Sequence, residues 1–385
     1  MDYIPYSRQD IMPEDIEAVV ATLTSDFLTQ GPAIERFETA FAELHEVAHA
    51  TAMSNATAAL HVGCLALGVE PGDRVWTSPI SFVASANCAL YCGAEPDFVD
   101  IDPQTRNMSP DALAEKLERA EAAGRLPKVV IPVDFAGLPS DLAAIRVLAD
   151  RYGFRILEDA SHATGAALGD RPVGGQFADA SVFSFHAVKI VTSAEGGMLT
   201  TQDPVVARRA ALLRSHGMTR DPAQMECASE GAWYYEQIEL GLNYRLTDLQ
   251  AALGLSQLGR IDTMRREREA RADRYDRLLA DLPLKLPARV EGRRSAWHLY
   301  AVELTDGARC DRAALFASLR DAGIGVNVHY IPIHTQPYYR RLGFARGDFP
   351  AAEAYYARAI TLPLFPAMTD AQQDYVVARL TENLA

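Results

Sequence analysis

An acid, an imidazole and an amine stand at the ends of apolar runs in the middle of this chain: Asp159, His162 and Lys189. Lys189 lies within S-V-F-S-F-H-A-V-K-I-V-T-S-A-E-G-G, residues 181–197. The first half of that stretch alternates small and apolar residues as a buried strand does, and the Glu-Gly-Gly turn leads back into an apolar strand. Burial disfavours an ammonium and lowers its pKa, which leaves a neutral amine able to form a Schiff base. Against 37 Lys+Arg in total, only Lys116, Lys128, Lys189 and Lys285 are lysines, so surface charge is carried by arginine. A lysine that snorkels to the surface would fit the same stretch.

The elements needed to position these groups are legible as an alternation. Strands are expected near 47–53, 73–77, 95–100, 127–133, 154–159, 180–185 and 197–201, with helices between most of them. Ser109-Pro110 opens one helix with an N-cap and a first-turn proline. Such alternation predicts an α/β fold with a large, mostly parallel sheet covered on both faces. Ligands of such sheets gather at the carboxyl ends of strands and at helix N-termini. Ser54-Asn55-Ala56-Thr57-Ala58 sits at one such place. Its free amides and the Thr57 hydroxyl could hold a phosphate, or Asn55 or Thr57 could simply cap the helix. Asp159 ends another strand, either as partner for a cationic group or as a cap.

Helices are also expected over 13–23, 34–44 and 246–258, with a polar loop, 25–32, after the first. A less regular insert, 218–242, carries Trp233, Tyr234 and Tyr235. A long charged helix at about 260–282 reads as the connector to a second, smaller α+β domain with strands near 297–305 and 325–331, a helix at 311–322 and a closing helix at about 369–384. The expected division is 1–260, a large domain with the N-terminal segment, and 261–385, the linking helix and small domain.

Composition narrows the function. The net charge of −14 argues against nucleic acid, whose phosphates require a basic face. Cys64, Cys88, Cys92, Cys227 and Cys310 form neither a C-x-x-C pair nor a disulfide framework, which suits a reducing cytoplasm. No apolar run is long enough to span a bilayer. His45-Glu46-Val47-Ala48-His49 matches the zinc-protease pattern, but that chemistry needs both histidines on one face of a continuing helix. The apolar period changes at Val47, and no metal site is expected.

Read together, the motifs resemble the DegT/DnrJ/EryC1/StrS sugar aminotransferases, over essentially the whole chain. The resemblance rests on S-N-A-T-A-A-L (54–60), T-S-P-I-S-F-V-A-S-A-N (77–87), E-D-A-S-H-A-T-G (158–165) and V-F-S-F-H-A-V-K-I-V-T-S-A-E-G-G (182–197). R-S-H-G-M (214–218), N-Y-R-L-T-D-L-Q-A-A-L-G (243–254) and V-H-Y-I-P-I-H (328–334) extend it. The wording is nearest the pseudaminic-acid branch. The resemblance implies the pyridoxal 5′-phosphate (PLP) transferase fold of type I, aspartate aminotransferase-like, with PLP as cofactor. It assigns Lys189 the Schiff-base role and Asp159 the pyridine nitrogen. Ala56, Thr57 and Ser184 would hold the phosphate, Phe82 would stack on the ring, and Asn243 would reach in from the other subunit of a homodimer. His162 replaces the glutamine of many relatives, as a hydrogen-bond partner of the ring hydroxyl or a contact over the ring.

The implied reaction moves the amino group of L-glutamate to C4 of a UDP-linked 4-keto-6-deoxy-N-acetylhexosamine. Thr29, Tyr235, His329, Tyr330 and His334 are candidates to shape the sugar pocket. Another 3- or 4-keto nucleotide sugar, of the perosamine type, is the nearest alternative. A sugar dehydratase would carry histidine at position 189, and a non-catalytic sugar-nucleotide-binding protein of the same fold would not bind PLP.

Overall fold

The computed structural model describes residues 3–384. Seven strands form the central sheet in the order 49–53, 197–201, 180–184, 155–159, 129–131, 74–77, 95–98. Only Gly197–Thr201 runs against the others. The five inner strands are largely buried on both faces, and successive side chains serve different cores because their directions alternate. Val75, Ile131, Leu157, Val182 and Leu199 pack under helices Ala56–Ala66, Ala84–Tyr91 and Pro204–Arg214. Trp76, Val130 and Ile156 face helices Pro110–Ala122 and Leu142–Tyr152, while Phe183 and Met198 face Pro32–Leu44 and Asp248–Leu258.

The local signals do what their chemistry demands. Ser109 Oγ caps the amide of Ala112 ahead of Pro110, and Asn55 Oδ1 caps Ala58 at 2.8 Å. Helix Pro32–Leu44 stops before His45, whose ring is buried, stacks 4.3 Å from Phe41 and donates Nδ1–H to the Val173 carbonyl at 2.7 Å. His49 begins the next strand, so the two histidines share no helical face.

A second, antiparallel sheet joins Leu284–Lys285, Tyr300–Leu304 and Ala359–Leu362. Its core includes Leu315, Leu319, Val376 and Leu380 from helices Arg312–Asp321 and Asp370–Leu384. Helix Ile261–Leu278 places Ile261 and Met264 in the core beside Phe183 and Met198, and Ala272 and Tyr275 in this second core. The strand expected near 325–331 does not form: Asn327 makes only an isolated bridge to Thr361, its side chain caps the Val328 amide, and Pro332 removes a donor just beyond. Ala359–Leu362 supplies the third strand instead. Ile4 belongs to this second core, and Ser7 Oγ donates to the Val188 carbonyl, so the N-terminal segment ties that core to the turn carrying Lys189.

Candidate active site

Three parallel strands bring their carboxyl ends to one edge: Met53, Asp159 and Ser184 end them. Lys189 lies in the turn after Ser184, closed by its own amide on the His186 carbonyl at 2.9 Å. Its side chain keeps some contact with water. Enough protein surrounds the amine for burial to push its pKa down to about 8, with Asp159 acting in the opposite direction. No side chain among the described residues forms an ion pair with Lys189.

Asp159 is buried and held at both oxygens. Oδ1 accepts from the Ser161 amide at 3.2 Å and Oδ2 from Ser85 Oγ at 2.6 Å. Because Ser85 spends its proton on the carboxylate, Ser81 must be the donor in the 2.6 Å contact between the two hydroxyls. Helix Ala84–Tyr91 therefore serves as a clamp on the acid. Both serines sit in a stretch singled out by sequence, four residues apart. Ser81 lies in the bend ahead of the helix and Ser85 in its first turn, so no helical spacing marked the pair in the sequence.

His162 is buried beyond Asp159, and its pKa lies well below the ordinary imidazole range, chiefly through burial and then through the Lys189 charge. The Ala136 amide donates to Nδ1 at 3.3 Å, so the neutral ring carries its proton on Nε2 and donates it to the Tyr330 hydroxyl at 3.1 Å. Ala136 has φ 59°, and this left-handed residue turns its amide toward the ring. His298 lies 4.4 Å from His162, centroid to centroid, and its pKa is also held well below normal by burial and Lys189. Sequence gave no sign of it, since a histidine inside an apolar run reads as core.

The other expected residues divide. The Ser54 amide donates to the Tyr244 carbonyl, which sets the 54–57 turn beside Asn243. Among the described residues, the amides of Ala56 and Thr57 and the Thr57 hydroxyl take no partner. Gly197 passes so close that an added Cβ would meet the Asn55 carbonyl carbon at 2.5 Å. Ser184 is buried, with its hydroxyl proton uncommitted. Phe82 is 59% exposed and lies 6.5 Å from the Tyr330 ring. His329 is fixed by Thr361 at 2.8 Å, and burial drives its pKa to about 3. His334 is fully buried against Phe349 and bonded to Glu353. Asn243 is exposed, as are Thr29, in an isolated bridge to Thr247, and Tyr235, in the 220–242 loop. No hydrogen bond or ring contact among the described residues joins the Thr29 or Tyr235 side chain to the Lys189 group.

A carboxylate, a buried amine and a helix N-terminus at one sheet edge are what a phosphorylated aldehyde cofactor would use. The sequence pattern of the DegT/DnrJ/EryC1/StrS aminotransferase family matches residues 9–381. The chain belongs to that family. The Bacillus subtilis spore coat polysaccharide biosynthesis protein SpsC is 41% identical over 379 residues, 97% of this chain and 95% of its own. Among solved structures, Helicobacter pylori PseC, an aminotransferase involved in the biosynthesis of pseudoaminic acid, superposes with a TM-score of 0.90 at 32% identity, covering 100% of this chain and 99% of PseC. Spr1654 from Streptococcus pneumoniae, solved in its PLP form, superposes at 0.88 with 30% identity over the whole of both chains. The protein is thus a transferase with the fold of PLP enzymes of type I, and PLP is the cofactor typical of its family. Among the described residues no helix is long and apolar enough to cross a membrane.

Proposed function

We propose that the protein transfers the amino group of L-glutamate to C4 of UDP-2-acetamido-2,6-dideoxy-β-L-arabino-hex-4-ulose, using PLP held by Lys189. The observation that carries this reading is the placement of Lys189, without an ion-pair partner among the described residues, in the turn at the same sheet edge as the doubly held carboxylate of Asp159. The choice of sugar leans on the likeness to PseC.

The residues present fit PLP. The uncommitted donors of Ala56, Thr57 and Ser184 would bind its phosphate, which needs hydrogen bonds and a helix N-terminus more than a point charge. The close passage of Gly197 leaves the cradle no room for a larger residue. Asp159 would face the pyridine nitrogen and favour its protonated state by ~1–3 pKa units. Phe82 would cover one face of the ring. His162, neutral and donating to Tyr330, would lie near the ring without adding a positive charge. Bound PLP supplies an electron sink for the carbon next to the transferred nitrogen.

Lys189 does the proton work. As a free amine, Nζ would take the proton from the α-carbon of glutamate and hold it for return. With the sugar in place the same nitrogen acts in reverse and delivers hydrogen to C4, so the face it occupies sets the new stereocentre. Thr29, Tyr235, His329 and Tyr330 are assigned to the sugar-nucleotide side, and Asn243 to the site of a partner subunit in a homodimer. The same reading takes residues 1–260 as the cofactor-binding part and 261–385 as the smaller part beside it.

The deciding experiment incubates purified protein and PLP with glutamate and a panel of UDP-, GDP- and dTDP-linked 3- and 4-keto sugars, with product configuration read by NMR. Amination of the UDP-4-keto-6-deoxy-N-acetylhexosamine above the others supports the proposal. Preference for a GDP- or dTDP-sugar would replace the substrate and keep the chemistry. SpsC, named for a spore coat polysaccharide rather than for one sugar, is the reason to include that wider panel.

A further inference from the structure

Directly behind Asp159 the fold buries two more acids that the reaction does not touch. Asp134 and Glu158 are each fully inaccessible to solvent. Glu158 precedes Asp159 on its strand, and Asp134 follows the neighbouring strand, where its amide donates to the Asp159 carbonyl at 3.1 Å and the Asp159 amide donates to Pro132 at 2.9 Å. Each acid has one satisfied oxygen: Asp134 Oδ1 accepts from the Ser140 amide at 2.8 Å, and Glu158 Oε2 accepts from Ser181 Oγ at 2.5 Å. The oxygens left over, Asp134 Oδ2 and Glu158 Oε1, find no hydrogen-bond donor among the described residues. They belong to side chains at the ends of adjacent strands, near enough for each carboxyl to act on the other.

Two acceptor oxygens cannot be satisfied by one another unless a proton lies between them. No cation offers an alternative, because among the described residues neither acid has an ion pair with Lys, Arg or His. The remaining groups facing the pair are the Ser181 hydroxyl, the Ser140 and Gly174 amides and the carboxylate of Asp159. The hydroxyl and amides lower the pKa values; burial and the like charges raise them, and raising wins at both acids.

We propose that Asp134 and Glu158 share one proton at neutral pH, and that this acid–carboxylate link is the positioning device for Asp159 and His162. The link joins the ends of two adjacent strands. On one side lies Asp159, the next residue after Glu158. On the other lies the turn from Asp134 to Gly137, whose Ala136 amide holds the His162 ring. Losing the shared proton places two like charges in contact without solvent, which drives those strand ends apart. Both groups that face the cofactor cleft then shift together.

The proposal uses the cofactor reading only to name what is positioned, and its test separates the two. Infrared spectra of the apoprotein in D2O at neutral pH are compared for wild type, Glu158→Gln and Asp134→Asn. The wild type is expected to show the carbonyl stretch of a buried neutral carboxyl that is lost in Glu158→Gln and in Asp134→Asn, where an amide donates to a lone carboxylate. The holoprotein is then titrated to alkaline pH. Wild type is expected to lose the circular dichroism of bound PLP as the pair deprotonates, and Glu158→Gln to keep it to higher pH. Absence of a neutral carboxyl in the wild type, or a band unchanged in both variants, overturns the shared proton. If the variants do not fold, the wild-type spectrum alone decides. A holoprotein that loses the PLP signal at the same pH in wild type and Glu158→Gln overturns the positioning role. A protein that binds no PLP would refute the cofactor reading and leave the infrared result standing.

Discussion

Replacing Asp159 by asparagine tests the electrostatics of the site at the carboxylate that supports the Lys189 charge. Burial brings Lys189 to about 8, and Asp159 is the group holding it from falling further. At pH 7.5 an amine with that pKa is neutral in roughly a quarter of molecules, against about one in a thousand for a free lysine near 10.4, a difference of roughly two-hundred-fold. In the apoprotein the pH dependence of Lys189 modification by an amine-selective reagent, read by peptide mapping, should therefore have its midpoint near 8. Asp159→Asn removes a negative neighbour and must move that midpoint down, because the ammonium loses its support. The same change should lower turnover roughly ten- to a thousand-fold, since the ring nitrogen loses a partner worth ~1–3 pKa units. Retained PLP binding shows that the cradle is intact. A wild-type midpoint near that of free lysine, or an upward shift in Asp159→Asn, would refute the reasoning.

Lys189→Ala is expected to abolish turnover and the visible band of bound cofactor. Borohydride reduction of the wild-type holoprotein should attach the label at position 189, and a label on Lys116, Lys128 or Lys285 would contradict the assignment. Ser85→Ala removes the donor on Asp159 Oδ2; a hydrogen bond to a charged group is worth about 1.5–3 kcal/mol, so turnover should fall roughly tenfold or more with KM for glutamate little changed. Unchanged turnover would show that the clamp is idle. Gly197→Ala forces backbone apart at the Asn55–Ala56 turn and should cost about 1–3 kcal/mol in stability together with PLP affinity, measured by thermal unfolding with and without PLP. A variant of wild-type affinity would mean that the turn does not hold the phosphate.

Most of the sheet could be read from the sequence because its strands are short apolar runs separated by capped helices, and caps act locally. Asn55, Ser109 and Thr247 all cap the helices that follow them. The expected strand near 325–331 failed for the opposite reason: Val326 reaches the second core, but Ile331 is exposed and the backbone groups find partners one at a time. Asp159 and Lys189 were legible because an ionisable group at the end of a buried run is costly and asks for a purpose. Ser85, Ala136 and His298 were less so. Their contributions are a hydroxyl proton, a backbone amide and a ring face, and none of these has a sequence period or charge that distinguishes it from ordinary core.

Under the proposed reaction the charge arrangement follows a single logic. A cofactor ring that must stay protonated at one end needs a carboxylate there. A lysine that must shuttle a proton needs a pKa near the working pH. A cationic histidine between them would spoil both, by competing for Asp159 and by lowering the lysine further. The fold prevents this at three positions, His162, His298 and His329, each buried and each depressed in pKa with Lys189 contributing to the depression. At His162 the neutral state has a definite tautomer, because the Ala136 amide occupies Nδ1 and leaves Nε2–H for Tyr330. Neutrality is therefore a built property of the cleft. The amine is left as the group whose protonation can change during turnover, facing one acid that is fixed in place.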